Sequence, residues 1–304
     1  MSEKTVREEL EKRLGGASAL PGGDTRALTS GLAERFAEQM AAPLFALIAY
    51  DVTISMEEHI KVVERNISEV ARRLFEEETG IRIAIWGVGD HNPSDPNGRG
   101  ALYVPEGFES GYRSEIVPVV QTNDFVGDGE ALKRQIRGLK RVQGFDGPEG
   151  YECLYRDAAL TFSRLRSQYP FSKAAAIVIG DQLPHGMGHV DHSNHGDHGC
   201  PENVDYRVSL PHLKSTVDLF YLVSAATSGH TKELQESQVD PTNPNEKFIP
   251  LGSMVEYLPQ LLIAAIKQAI NPAHAAEYLR RLGGEGNVVA GYLGLPPLGG
   301  SPKK

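Results

Sequence analysis

Two unbroken apolar runs, Leu44-Phe45-Ala46-Leu47-Ile48-Ala49-Tyr50 and Ala174-Ala175-Ala176-Ile177-Val178-Ile179-Gly180, each stop at an aspartate, Asp51 and Asp181. A run with no polar alternation is what a strand covered on both faces requires, and strands buried in this way belong to parallel sheets. Ile81 to Val88 and Val217 to Val223 read as two further strands of the same kind, and Phe248 to Leu251 as a short edge strand. Between the first two strands, residues 57–78 place Ile60, Val63, Ile67, Val70 and Leu74 at helical spacing, and Gly80 ends that helix. Glu115 to Gln121 reads as a strand, and Glu130 to Val142, Tyr151 to Gln168 and Met254 to Ile270 as helices. Alternation on this scale predicts an α/β fold, a Rossmann-like doubly wound and mostly parallel sheet flanked by helices.

That pattern occupies residues 44–272 of the 304. Before it, residues 1–43 predict a helical extension, its second helix carrying Leu28, Leu32, Phe36 and Met40 on one face. After it, 273–304 reads as a C-terminal helix followed, from 283, by a Gly/Pro-rich flexible tail. The formal net charge of −9 lacks the clustered cations that phosphate backbones or anionic membranes demand, so no nucleic acid and no membrane is expected as a partner. Two cysteines, Cys153 and Cys200, and an N-terminus with no apolar signal segment suit a reducing compartment, so a cytoplasmic location is expected. Cys153 lies on an apolar helix face, where core packing is the default.

In open α/β sheets, ligands bind outside the carboxyl ends of the strands. Asp51 and Asp181 both arrive there, and Asp51-Val52-Thr53-Ile54-Ser55 adds two hydroxyls at alternating positions. Converging carboxylate and hydroxyl oxygens select hard cations such as Mg²⁺ or Mn²⁺. The competing account is that Thr53 or Ser55 merely caps the following helix, whose first turn carries Glu57 and Glu58.

The string Asp51-Val52-Thr53-Ile54-Ser55-Met56 resembles the metal-ion-dependent adhesion site of von Willebrand factor A domains, with Thr in place of the family's first Ser. Gly144-Phe145-Asp146-Gly147-Pro148-Glu149-Gly150 is similar to the second motif of integrin β I-like domains, and lacks the Thr of the commoner form. Ile179-Gly180-Asp181-Gln182-Leu183-Pro184-His185-Gly186 resembles the family's last metal-binding loop. The resemblance implies a von Willebrand factor A fold holding Mg²⁺ (or Mn²⁺ or Ca²⁺) on Asp51, Thr53, Ser55, Glu149 and Asp181. It also implies an adjacent cation near Asp146 and Glu58, although His59 stands where a second acid is expected.

Five of ten histidines crowd into the next stretch, His185, His189, His192, His195 and His198, with Cys200 close behind. Imidazole and thiolate suit Zn²⁺ rather than Mg²⁺, so these six residues are candidates for a second metal site, set against a solvated polar loop. The expected function is an intracellular adaptor, not an enzyme, that binds a protein partner whose acidic residue completes the metal's coordination. The alternatives are a metal-dependent hydrolase using residues 185–200 and a structural A domain with a degenerate site.

Overall fold

The structure, a computed structural model, describes residues 44–92, 100–105, 115–145, 148–186, 199–252 and 254–296. The helical extension expected at 1–43 lies outside the described residues. Strand β1 (Leu44–Asp51) is buried along its whole length. It pairs in parallel with β2 (Ile81–Val88) on one side and β6 (Lys173–Gly180) on the other. β7 (Leu219–Ser224) and β8 (Glu246–Pro250) extend the parallel sheet beyond β6, and β5 (Val120–Gln121) closes the other edge antiparallel to β2. The order β5-β2-β1-β6-β7-β8 is that of a doubly wound α/β sheet, as the alternating pattern predicts.

Strand periodicity of two sends alternate β1 side chains to opposite faces. Leu44, Ala46, Ile48 and Tyr50 pack with α1 (Glu57–Phe75) and α6 (Leu258–Ile270). Phe45, Leu47 and Ala49 pack with α3 (Tyr151–Gln168) and α4 (Tyr206–Thr216). Asp51 belongs by register to this second face, which aims its carboxyl at the start of α3.

Several elements depart from the sequence expectation for identifiable reasons. The strand expected over 115–121 is divided at Val119, where the chain bends and its carbonyl accepts from the Gly89 N–H instead. Ile116–Pro118 is β4, paired with β3 (Gly100–Leu102), and the two residues of β5 pair with β2 instead. The helix expected to reach Val142 is α2 (Gly129–Gly138); Leu139 turns extended, and Val142 then bridges Thr53 and Tyr103 beside the end of β1. The polar stretch before β7 holds α4, capped by the Asp205 side chain, and α5 (Gly229–Glu236), capped by Ser228, follows that strand.

The expected tail from 283 is a helix over most of its described length. α7 (Pro272–Arg281) and α8 (Gly284–Tyr292) fold back on α6, burying Val289, Ala290 and Leu293. Glycine permits this close approach: a Cβ on Gly286 would lie 1.9 Å from the Leu279 carbonyl oxygen. Lys267 of α6 and His274 of α7 meet the Glu78 carboxylate beneath these helices, at 2.5 and 2.9 Å. Among the described residues no helix is long and apolar enough to cross a membrane.

Candidate functional site

The sheet reverses direction of growth between β1 and β6, and the crevice outside their carboxyl ends is where the acidic residues gather. Asp51 terminates β1, and Asp181 follows the last residue of its neighbour β6. Beyond Asp51 the chain makes a tight turn and a 3₁₀ segment, Ile54–Met56, before entering α1. The Thr53 amide and hydroxyl both donate to Asp51 Oδ1, at 2.8 and 2.5 Å, and Thr53 Oγ1 lies 3.1 Å from Ser55 Oγ. Neither hydroxyl caps a helix: Thr53 and Met56 are the cap positions and neither makes a side-chain cap bond. Thr53 is buried and Ser55 lies exposed at the rim, where it hydrogen-bonds the Asp181 carboxylate.

Glu149 reaches the same place from the turn before α3. Its backbone N–H donates to the Leu183 carbonyl at 2.7 Å, tying it to the loop that carries Asp181. Tyr151, two residues on, donates its hydroxyl to Asp51 Oδ2 at 2.9 Å. That hydroxyl leaves room for no side chain on Gly180, where a Cβ would lie 1.6 Å from it. Of the five residues expected as ligands of one cation, Asp51, Thr53, Ser55 and Asp181 are linked by hydrogen bonds, and Glu149 lies close enough for the charges of Asp51 and Asp181 to act on it.

The electrostatics of this cluster are strained. Burial, then the charge of Asp181, pushes the Asp51 carboxyl well above the usual carboxylate range. Burial, then Asp51, Asp90 and Asp181, does the same to Glu149, and burial raises Asp181 as well. Glu149 is 3% exposed, yet its Oε2 has no hydrogen-bond partner among the described residues, nor has the buried Asp181 Oδ1. Buried polar atoms normally find partners, because leaving one unsatisfied costs about 1–3 kcal/mol.

A second cluster lies alongside and differs in chemistry. β2 also delivers an acid to the carboxyl edge, Asp90, followed by His91, both buried. His91 Nε2 is 3.5 Å from Cys153 Sγ, 3.7 Å from Cys200 Sγ and 3.4 Å from Glu152 Oε1. The two sulfurs are 3.6 Å apart and unbonded, and Cys153 Sγ is 3.9 Å from Glu152 Oε1. His185 adds an outer contact, its Nδ1 3.1 Å from Glu152 Oε1 and its Nε2 3.3 Å from Asp90 Oδ1. The hydrogen bond between the thiols pushes Cys153 up and holds Cys200 below the usual thiol range, so the sulfur pair favours one thiolate. His185, then His91, holds the buried Glu152 carboxyl low against the penalty of burial.

Of the six residues expected at a second metal site, the structure thus places Cys200 in a donor cluster and His185 beside it. His189, His192, His195 and His198 lie outside the described residues, as does Asp146. Glu58 does not reach the crevice: its side chain is 73% exposed and pairs with Lys61 and Arg65 along α1. His59, in contrast, lies near enough to Asp181 to favour its charged form. Sequence reasoning missed Asp90, His91 and Glu152 and assigned Cys153 to the core. The signal available for the first two was the end of β2 itself, a third strand delivering an acid to the carboxyl edge.

No family model matches the chain, and no curated protein does. Among solved structures, the pilus adhesin SpaC from Lactobacillus rhamnosus GG is similar in its open conformation, with a TM-score of 0.48 and 10% identity over 75% of this chain and 30% of the adhesin. A second crystal form of the same adhesin gives 0.49, with 10% identity over 75% of this chain and 31% of the adhesin. The chain therefore spans less than a third of the adhesin's length.

Proposed function

We propose that the crevice between β1 and β6 is a divalent-cation site of the von Willebrand factor A type, through which the chain binds a protein partner presenting a carboxylate. The observation that carries this reading is the orphaned, buried oxygen of Glu149 beside Asp51 and Asp181. Three acids held together with too few donors are what a dication neutralises, and their oxygen-only chemistry fits Mg²⁺ or Mn²⁺, with Ca²⁺ as the larger option. Asp51, Thr53, Ser55, Glu149 and Asp181 would hold the ion, which when bound supplies positive charge and an exposed coordination position for an incoming acid.

The remaining work belongs to the chain. Thr53 and Tyr151 fix the two oxygens of Asp51, so the carboxylate keeps one orientation whether or not it is charged. Ser55 orients Asp181, and the Glu149–Leu183 backbone bond holds the second and third loops at a constant separation. The site would act as an adaptor surface in a reducing compartment, recognising its partner without turnover.

Isothermal titration of Mg²⁺ and Mn²⁺ tests the cation site directly. Wild type should give a saturable isotherm that Asp51→Ala abolishes. Capture of a partner should then fail both in EDTA and with Asp51→Ala, and capture indifferent to both would refute the adaptor reading. A flat wild-type isotherm would support instead an A domain with a degenerate site. The hydrolase alternative places its metal on residues 185–200, of which 187–198 lie outside the described residues; purified protein that carries no transition metal by elemental analysis would remove it.

A further inference from the structure

We infer that His91, Glu152, Cys153 and Cys200 form a closed, four-coordinate site for Zn²⁺ or a similar borderline-soft dication, separate from the oxygen site. Tetrahedral zinc at its usual bond lengths holds two thiolates about 3.7 Å apart, a thiolate and an imidazole nitrogen about 3.5 Å, and an imidazole nitrogen and a carboxylate oxygen about 3.3 Å. The corresponding separations are 3.6 Å for the sulfurs, 3.5 and 3.7 Å for the sulfur–nitrogen pairs and 3.4 Å for nitrogen to oxygen, while Cys153 Sγ to Glu152 Oε1, at 3.9 Å, is the one of these edges that must shorten on binding. All four donor atoms lie within 4.8 Å of one another. Single contacts of this length also arise from packing; what favours a metal is that four donor types suited to zinc share them at once.

Three further features favour a metal over plain packing. The donors come from three separate places in the chain, the end of β2, the first turn of α3 and the start of 199–204, so no local turn forces them together. His91, Glu152 and Cys153 are at most 4% exposed and Cys200 is half-buried, so the donors face one another rather than open solvent. Glu152 is oriented from behind by the His185 amide at 3.1 Å and by its Nδ1, the outer support that metal-ligating carboxylates commonly receive. Four protein donors leave no vacant position, so the role is structural: the ion would pin Cys200, and with it the segment leading to α4, onto the start of α3.

The test is elemental analysis of untagged protein expressed with zinc, together with cobalt substitution. Wild type should carry about one zinc per chain, and cobalt should produce the intense visible bands and thiolate charge-transfer absorption of a tetrahedral sulfur-ligated ion. Cys200→Ser and His91→Ala should each lower zinc occupancy at least tenfold at nanomolar free zinc. Asp51→Ala should keep full occupancy, which separates this site from the oxygen site and lets either fail alone. Replacing His189, His192, His195 and His198 with alanine should also leave zinc in place; zinc lost there but kept in Cys200→Ser would overturn the assignment. The cobalt spectrum of the wild type needs no variant to fold, and its absence, or a Cys153–Cys200 disulfide in reduced preparations, would refute the site.

Discussion

Tyr151 fixes the geometry of the crevice through one atom. Its hydroxyl donates to Asp51 and occupies the space that a side chain on Gly180 would need, so residues on α3, β1 and β6 meet at a single oxygen. Gly180→Ala should cost about 1–3 kcal/mol by overpacking and reduce Mg²⁺ affinity. Tyr151→Phe in the same chain should restore only part of the stability, because the ring carbon would still lie 2.8 Å from the new methyl. Thermal melts of the single and double variants, with Mg²⁺ titrations, decide this. Glu149→Gln should separate stability from binding in the opposite sense. Removing one of three crowded acids should raise the melting temperature of the metal-free protein at pH 8 while weakening Mg²⁺ binding at least tenfold, because a proposed ligand is lost. A lower metal-free melting temperature would mean that the Glu149 carboxyl is paired after all. At this scale the sequence was informative about oxygen donors and poor about nitrogen and sulfur. Asp51, Thr53 and Ser55 stand in one short string, whereas His91, Cys153 and Cys200 are scattered, and no spacing rule connects them before the sheet is assembled.

The helices show where pattern reading succeeds and where it gives out. α3 was legible to both ends, because Gly150 precedes its apolar stripe and Tyr169 leaves helical geometry at its close. α8 was not legible, since three glycines in its first eight residues look like a tail when the neighbour that requires one of them is unknown. Gly286→Ala tests that pairing. The new Cβ would meet backbone rather than a movable side chain, so α8 should detach, with about 1–3 kcal/mol lost and faster amide exchange confined to α7 and α8. The Glu78–Lys267–His274 cluster makes a companion prediction beneath the same helices. Lys267 is 2% exposed, and Lys267→Ala would leave Glu78 buried with its main cation gone. A buried pair broken from one side costs about 3–5 kcal/mol. Lys267→Met, with Glu78→Gln, should recover much of that in urea unfolding.

For the whole molecule, the crowded acids make stability depend on pH in a definite direction. Asp51, Glu149 and Asp181 all have folded pKa values above their unfolded ones, so the metal-free fold binds more protons than the unfolded chain between the two. Stability must then fall as pH rises from the ordinary carboxylate range through the raised values, and level off above them. A dication that binds the ionised site opposes this loss. The rise in melting temperature on adding Mg²⁺ should therefore grow between pH 5 and pH 8. At a hundred times the dissociation constant, ligand linkage gives about 2.7 kcal/mol, several degrees for a domain of this size. A gain that shrinks with pH would argue against these carboxylates as the ligands. Architecture at this scale was the most legible of all, since strand burial and helix alternation are repeated across more than two hundred residues and survive local errors. The sheet order and the donors at its edge depend on which strands become neighbours, and that appears only in three dimensions.

That neighbour relation has a kinetic consequence. β1 and β6 are paired from Leu44 against Lys173, a separation of 129 residues, and Asp51 and Asp181 follow the last pair of that register. Contacts so distant in sequence close a long loop and form late. A cation at the crevice would find no complete site in the transition state for folding. Stopped-flow measurements should then show Mg²⁺ slowing unfolding by most of the equilibrium stabilisation while leaving the refolding rate almost unchanged, so that the ion acts as a latch on the finished fold.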